Sequence, residues 1–197
     1  MEMATEVYAN QGTATRATIQ AVALELFATN GYERTSLRQI AERVGLTKAS
    51  LYYHYPSKQE LLLALVQPLI DQWRAAATYA ESLPHSQANV RDVLGRCLDD
   101  VLDNRPAAAL FVRDAAAVVA AIAPIWEELI DLNRRLHTWL AGTRPTTTDT
   151  IRSIAAMEVL GAAISSSAYL PDVAEDELRD TLLDAATAVL GWGTAPR

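Results

Sequence analysis

Cysteine, strand-forming patterns and long apolar runs are scarce in this chain of 197 residues. Its single cysteine, Cys97, excludes an internal disulfide. No arginine-flanked apolar segment opens the sequence, and no uncharged apolar run reaches the roughly 18 residues of a membrane-spanning helix. We therefore expect a soluble, cytoplasmic protein. Half of the residues are hydrophobic, which predicts a folded core rather than a disordered chain.

The motifs of common catalytic and metal sites are missing as well. His54, His85 and His137 stand far apart, and the sequence has no H-E-x-x-H, C-x-x-C, phosphate-binding glycine loop or G-x-S-x-G elbow. The sequence therefore predicts that the protein is not an enzyme and needs neither a metal nor a cofactor. A small helical enzyme or scaffold is the alternative, because residues distant in sequence can meet in a fold.

Charge is unevenly distributed along the chain, whose net charge is -7. Residues 13–58 carry six basic and three acidic side chains, whereas the residues from 59 onward carry 11 basic and 19 acidic ones. Nucleic-acid binding depends on neutralising phosphates with lysine and arginine. A short basic segment followed by a long acidic remainder therefore indicates that only one end of the chain meets nucleic acid. Random surface variation in a short segment is the alternative.

Apolar residues recur with helical period, which predicts an all-α fold of about nine helices. Residues 1–12 lack that period and are expected to form a flexible tail. The apolar stripe that starts at Ile19 predicts a first helix that ends at Gly31. Ser36 and Thr47 are N-cap residues and predict the starts of two short helices.

These two short helices, joined by a turn at Gly45, have the spacing of a helix-turn-helix unit. Leu37, Ile40 and Leu51 are placed to hold the pair together. Such a unit presents its second helix to the major groove of DNA. The second helix carries a cation, hydroxyl groups and an imidazole at its non-core positions, which suits phosphates and base edges. Those positions are Lys48, Ser50, Tyr52, Tyr53 and His54.

At these residues the sequence resembles the tetracycline-repressor-like (TetR) family of bacterial transcriptional regulators. Three phrases carry the resemblance in order: F-A-T-N-G-Y-E-R-T at residues 27–35, I-A-E-R-V-G-L at 40–46 and L-Y-Y-H-Y-P-S-K at 51–58. The similar stretch extends from about Thr18 to Val66, roughly a quarter of the chain. Beyond it, the acidic remainder of the chain is similar only in having several long helices.

The resemblance implies a domain order and a set of DNA contacts. Residues 13–58 would form the helix-turn-helix DNA-binding domain, and residues 59–197 a helical domain that binds a ligand and dimerises. Tyr53 and Tyr55 also fit positions where aromatic rings pack beneath the recognition helix. The residues expected to contact DNA are Arg38, Thr47, Lys48, Ser50, Tyr52, Tyr53, His54 and Lys58.

Residues 59–197 contain candidates for a ligand cavity, because such cavities are lined by apolar and aromatic groups with few polar ones. Ordinary core packing is the alternative for each aromatic residue. The predicted ligand-binding residues are Trp73, Phe111, Trp126, His137, Trp139, Met157 and Glu158.

The last two long helices carry small residues, which let a partner helix approach closely. The resemblance implies that these helices pair with a second subunit as a four-helix bundle. Burial of the same residues inside one subunit is the alternative. The predicted interface residues are Gly161, Ala162, Ser165, Leu182, Ala185 and Val189.

Residues and resemblance together predict a homodimeric, ligand-responsive regulator of transcription. We expect a repressor that a small, largely apolar molecule releases from a pseudo-palindromic operator in double-stranded DNA. A helix-turn-helix protein of the same family that responds to a protein partner, or that binds DNA without a ligand, is the alternative.

Overall fold

The computed structural model describes the backbone of residues 2–191 and the side chains of residues 13–166 and 169–191. Residues 2–191 contain helices and no strand, which confirms the all-α prediction. No single helix among them has both the length and the hydropathy to cross a membrane, although one bent pair, Arg105–Arg113 with Ala115–Ala141, meets those two criteria jointly. The helices are α1 (Glu2–Asn30), α2 (Leu37–Val44), α3 (Lys48–His54), α4 (Lys58–Ser82), α5 (Gln87–Asp103), α6 (Arg105–Arg113), α7 (Ala115–Ile122), a 3-10 helix (Ala123–Ile125), α8 (Trp126–Ala141), α9 (Thr147–Tyr169) and α10 (Glu175–Val189).

The first helix begins earlier than the apolar pattern indicates. Residues 2–12, expected to form a tail, have helical backbone, and their side chains lie outside the described part of the chain. A helical backbone requires no apolar period, and this segment contains good helix formers such as alanine, glutamate and methionine. The far end of α1 agrees with the prediction, because Gly31 adopts the left-handed conformation with φ of 89° directly after Asn30.

Capping side chains fix the ends of α2 and α3. The Ser36 hydroxyl accepts the Gln39 backbone N–H at 3.2 Å, and the Gln39 side-chain oxygen accepts the Ser36 N–H at 2.8 Å. Gly45 ends α2 with φ of 77°, and the Thr47 hydroxyl accepts the Ser50 N–H at 3.1 Å. These caps confirm the predicted starts of both short helices and the predicted end of α2.

Internal contacts divide the chain into two compact units. We call residues 1–67 and 109–123 the head, and residues 68–108 and 124–197 the body. The predicted functional boundary between residues 58 and 59 stays a prediction.

In the head, α1 packs on α2, and α2 packs on α3. Phe27, Ile40 and Leu51 are fully buried and form the centre of this three-helix arrangement. The segment 109–123 is tied into the head by hydrogen bonds. An oxygen of Asp114 accepts the backbone N–H of Tyr32 at 3.3 Å, and the Gln59 amide donates to the Ala120 carbonyl at 2.8 Å.

In the body, α9 packs against α5, α8 and α10, and α5 also packs against α10. The Arg179 guanidinium on α10 donates two hydrogen bonds to the Asp99 carboxylate on α5, at 2.5 and 2.9 Å. A Cβ at Gly95 would lie 3.4 Å from an Arg179 nitrogen. The glycine therefore leaves room for the arginine to lie across α5.

Cys97 is buried among the apolar residues of α5, and we expect its thiol to be inert in the folded protein. Burial, together with the smaller effect of the nearby Asp100 carboxylate, raises the pKa of Cys97 to about 12. Because the thiolate is the reactive form, an aromatic disulfide reagent at a pH of about 8 should leave the native protein unmodified and titrate one thiol after denaturation. Rapid modification of the native protein would contradict this burial.

Candidate nucleic-acid interface

The short helix α3 exposes most of its side chains. It has seven residues and buries Leu51, whereas Lys48 and Tyr52 are exposed one turn apart. The Lys48 ammonium lies 5.5 Å from the centroid of the Tyr52 ring, within the range of a cation–π interaction. Tyr53 is 85% exposed, and its ring meets that of the half-buried His54 edge-on. A cation and two phenol groups thus project from one helix, which suits contacts with phosphates and base edges.

The structure distinguishes the two tyrosines that the sequence left open. Tyr55 is only 3% exposed, and its hydroxyl accepts a hydrogen bond from the Gln20 amide at 2.9 Å. Core packing is therefore the role of Tyr55, whereas the side chain of Tyr53 is free of the core. Of the two hydroxyl residues at the start of α3, Thr47 is exposed and Ser50 is half-buried.

Arg38 lies on α2 and is largely exposed. Its Nε donates to a Glu42 carboxylate oxygen at 2.7 Å, and both side chains face solvent. This hydrogen bond, followed by the charge of Glu42, raises the pKa of Arg38, so the guanidinium stays charged. Exposed ion pairs contribute little to stability. A phosphate or a guanine edge can therefore replace Glu42 at small cost.

Lys58, predicted to contact a phosphate, is engaged with the loop between α1 and α2. Its ammonium donates to the Tyr32 carbonyl at 2.9 Å and to the Glu33 carbonyl at 3.4 Å. It also lies 4.1 Å from the centroid of the Tyr32 ring. An ammonium has three N–H donors. Lys58 can thus brace this loop and still offer a donor to a phosphate.

A groove of about 480 Å³ joins several of these groups on the head. It brings Tyr52 and Lys58 together with residues that sequence reasoning did not select, among them Arg34 and the N-cap residue Ser36. Only the local excess of basic residues gave a signal for Arg34. The lining residues are Glu33, Arg34, Thr35, Ser36, Leu37, Tyr52, Pro56, Ser57 and Lys58.

The predicted ligand-binding residues have mixed surroundings. Phe111 is half-buried in the head, whereas the other six residues belong to the body. Trp126 is 45% exposed and Glu158 also faces solvent, whereas Trp73 and Met157 are half-buried. Their role in ligand binding stays a prediction.

His137 is the predicted ligand residue with the most distinctive chemistry. Burial lowers its pKa below the ordinary 6.5, against smaller raising effects of a Ser153 backbone hydrogen bond and the Glu158 charge. Its Nδ1 atom is buried and has no hydrogen-bond partner among the described residues. The imidazole is therefore neutral near pH 7 and retains one nitrogen for a further polar contact.

A groove of about 570 Å³ lies between the end of α4 and the end of α8 in the body. Trp139 is the one predicted ligand residue in its lining, and its indole N–H donates to the Leu83 carbonyl at 3.2 Å. The His85 ring meets the Trp139 ring edge-on, with centroids 5.6 Å apart. Charged side chains border the groove as well. Among them, Arg135 forms two hydrogen bonds with the Glu81 carboxylate.

The predicted interface residues are exposed on α9 and exposed or half-buried on α10. Gly161, Ala162 and Ser165 are exposed rather than buried inside the subunit, and a Cβ built on Gly161 would meet nothing within 4 Å beyond its chain neighbours and the backbone of its own helix. Ile151, which is 61% exposed, extends the same face of α9 towards its start. On α10, Ala185 is exposed, and Leu182 and Val189 are half-buried. Exposed small and apolar residues thus lie on two neighbouring helices, and their role in dimerisation stays a prediction.

Comparison with known proteins finds sequence similarity, which for the matching family model lies within the head. A family model described as "Bacterial regulatory proteins, tetR family" matches residues 19–65. The chain is 40% identical over 57 residues to the HTH-type transcriptional regulator RutR of Escherichia coli (strain K12), which covers 29% of this chain and 27% of RutR. It is 30% identical over 115 residues to the biofilm operon icaADBC HTH-type negative transcriptional regulator IcaR of Staphylococcus epidermidis, which covers 58% of this chain and 61% of IcaR.

These alignments span less than two thirds of either relative, but the likeness of fold extends further. The crystal structure of Mycobacterium smegmatis AmtR superposes on 90% of this chain and 86% of AmtR, with a TM-score of 0.75 and 23% identity. The likeness of fold to AmtR therefore extends beyond the head into the body. Both relatives found by sequence are named as regulators of transcription.

Proposed function

Because this chain belongs to the tetR family of bacterial regulatory proteins, we propose that it binds operator DNA through α3 and regulates transcription. The observation that carries this proposal is the exposure of Lys48, Tyr52 and Tyr53 on a capped helix. The rest of α3 is fixed through the buried Leu51. The helix is therefore free to enter a major groove without disturbing the core of the head.

We propose that the active form is a homodimer that reads a pseudo-palindromic operator. The exposed face of α9 and α10, with Gly161 and Ala185, supports an isologous pairing of two subunits. Helix-turn-helix dimers bind half-sites about 34–36 Å apart, one turn of B-DNA. Two linked heads bind far more tightly than one head alone, because the second contact becomes intramolecular.

We further propose that a small, largely apolar molecule bound in the body releases the operator. The helix α4 begins at Lys58 in the head and ends at Ser82 in the body, so it connects the two units along the chain. A ligand that favours a different arrangement of α4 would change the separation of the two heads. A coupling free energy of about 1–3 kcal/mol corresponds to roughly 5- to 150-fold weaker DNA binding. The name of IcaR as a negative regulator supports repression over activation.

A regulator that works without a small ligand is the second candidate. Two of the predicted ligand residues, Trp126 and Glu158, face solvent, which favours this alternative. A body that takes up no apolar probe in a thermal-shift screen, in a protein that still selects its operator, would support it.

The proposed function is tested by fluorescence anisotropy of the purified protein on the DNA upstream of its own gene. A scrambled DNA of equal length is the control, and salt is varied. We expect specific binding at least about 10³-fold tighter than binding to the control, with an affinity that falls steeply as salt rises. Equal binding to every fragment from a genome-wide selection would refute sequence-specific regulation.

A further inference from the structure

The C-terminal end of α3 is held by two side chains of α1 that lie outside the predicted DNA contacts. The Arg16 guanidinium donates to the carbonyl of His54, the last residue of α3, at 3.1 Å. The same guanidinium lies over the Tyr55 ring, 5.2 Å from its centroid. One turn further along α1, the Gln20 amide donates to the Tyr55 hydroxyl at 2.9 Å. Both residues of the α3 terminus are thus attached to α1.

A helix as short as α3 needs such external attachments. It has seven residues, whereas isolated helices shorter than about 12–15 residues are marginal in water. Its last carbonyls have no partners within the helix, and Tyr55 leaves the helix in an extended conformation ahead of Pro56. A cation at a helix C-terminus is favourable both as a hydrogen-bond donor and through the helix dipole.

We propose that Arg16, assisted by Gln20, is a positioning residue that sets the orientation of α3 for reading the operator. This inference rests on the proposed function. At its N-terminus α3 is fixed by the Thr47 cap, and in its middle by the buried Leu51. Arg16 supplies the third point of attachment, and the residues that depend on it most directly are Tyr53 and His54. Loss of this point lets the end of α3 move and lowers selectivity between DNA sequences.

A positioning residue and a phosphate contact differ in which DNA affinities fall when the side chain is replaced. A phosphate contact contributes charge, which acts on all DNA sequences alike and adds about one unit to the salt slope. A positioning residue acts on the difference between operator and other DNA. Gln20 is uncharged, and Arg16→Lys retains the charge but lacks the planar guanidinium that stacks on Tyr55 and donates in its plane. Replacing Gln20 by an apolar residue and replacing Arg16 by lysine both leave the charge of the protein unchanged. A loss of operator affinity in either variant therefore reports a change in geometry.

The test measures operator and scrambled DNA binding for Arg16→Met, Arg16→Lys and Gln20→Leu. The matched control is Arg43→Met, which removes the same charge from an exposed arginine that pairs with Glu25 of α1. We expect Arg16→Met and Arg16→Lys to lower operator affinity by about 10-fold beyond any change on scrambled DNA, the scale of one hydrogen bond to a charged group. Gln20→Leu should lower operator affinity by about 3-fold with an unchanged salt slope, because a neutral bond is weaker.

Hydrogen exchange in the absence of DNA provides an independent readout. The Tyr55 N–H donates to the Leu51 carbonyl at the end of α3, and the Leu46 N–H donates to Ala41 at the end of α2. We expect Arg16→Met to accelerate exchange at Tyr55 by about 10-fold and to leave Leu46 unchanged, which reports local release of α3. Global unfolding would accelerate both amides and would count against a positioning role.

Equal weakening on operator and scrambled DNA, with unchanged exchange at Tyr55, would overturn the inference and leave Arg16 as a phosphate contact. Full operator affinity in Arg16→Lys would also overturn it, because charge alone would then suffice. Absence of operator selection in the unmodified protein would instead refute the proposed function. The exchange measurement would still decide whether Arg16 holds α3.

Discussion

Replacing Arg38 and Tyr52 together with alanine is expected to weaken operator binding by about 10²-fold or more, because well-placed side chains at base edges contribute roughly 1–3 kcal/mol each and a dimer loses both copies. Both side chains are exposed, and neither belongs to the core of the head. We therefore expect the thermal stability and the dimer to be unchanged. Anisotropy titration on the operator, with sedimentation to report the dimer, measures this effect.

The matched control is Arg134→Ala, which removes an exposed arginine from α8 of the body. This variant lowers the charge of the protein by the same amount but should retain operator affinity. If the Arg38 and Tyr52 variant sediments as a dimer and binds the operator as tightly as the unmodified protein, the assignment of these residues to the DNA interface is wrong.

Substitution of Gly161 by arginine is expected to dissociate the dimer and to lower operator affinity by about 10²- to 10⁴-fold, the usual gain from linking two binding modules. The reason is steric, because a long side chain would fill the space that a partner helix needs. Inside the subunit we expect the change to be tolerated, since a Cβ built on Gly161 meets nothing within 4 Å beyond its chain neighbours and the backbone of its own helix. Arginine is also a better helix former than glycine, by somewhat less than the roughly 0.8–1 kcal/mol that separates glycine from alanine.

The control for this variant is Ala88→Arg, which adds the same charge to an exposed position of α5 outside the predicted interface. Sedimentation and anisotropy should show it to be a dimer with full operator affinity. A Gly161→Arg protein that remains dimeric at micromolar concentration would place the subunit interface elsewhere.

The sequence predicted those parts of the fold that depend on local chemistry. The capping boxes and the left-handed glycines act within four residues of themselves, and for this reason Ser36, Gly45 and Thr47 marked the ends of α2 and α3 correctly. The apolar period of α1 likewise placed Phe27 in the core.

Contacts between segments distant in the sequence could not be predicted from local patterns. The sequence left core packing open for both Tyr53 and Tyr55, because the hydrogen bond that accompanies the burial of Tyr55 comes from Gln20, 35 residues earlier. The role of Lys58 as a brace for the Tyr32 carbonyl depends on a contact across 26 residues. The anchoring of α3 by Arg16 was missed for the same reason, since the pair is separated by 38 residues.

Segment 109–123 belongs to the head although it lies far from residues 1–67 in the sequence. This arrangement limits how the head can be joined to a different body by recombination. A fragment that stops at residue 67 would contain every predicted DNA contact but would lose the Asp114 bond to Tyr32 and the Ala120 bond to Gln59. The part proposed to read DNA is therefore discontinuous in the gene. Recombination that joins this N-terminal segment to a foreign body must also supply a matching counterpart of residues 109–123. Exchange of the body of this protein is thus constrained by an inserted segment as well as by the junction itself.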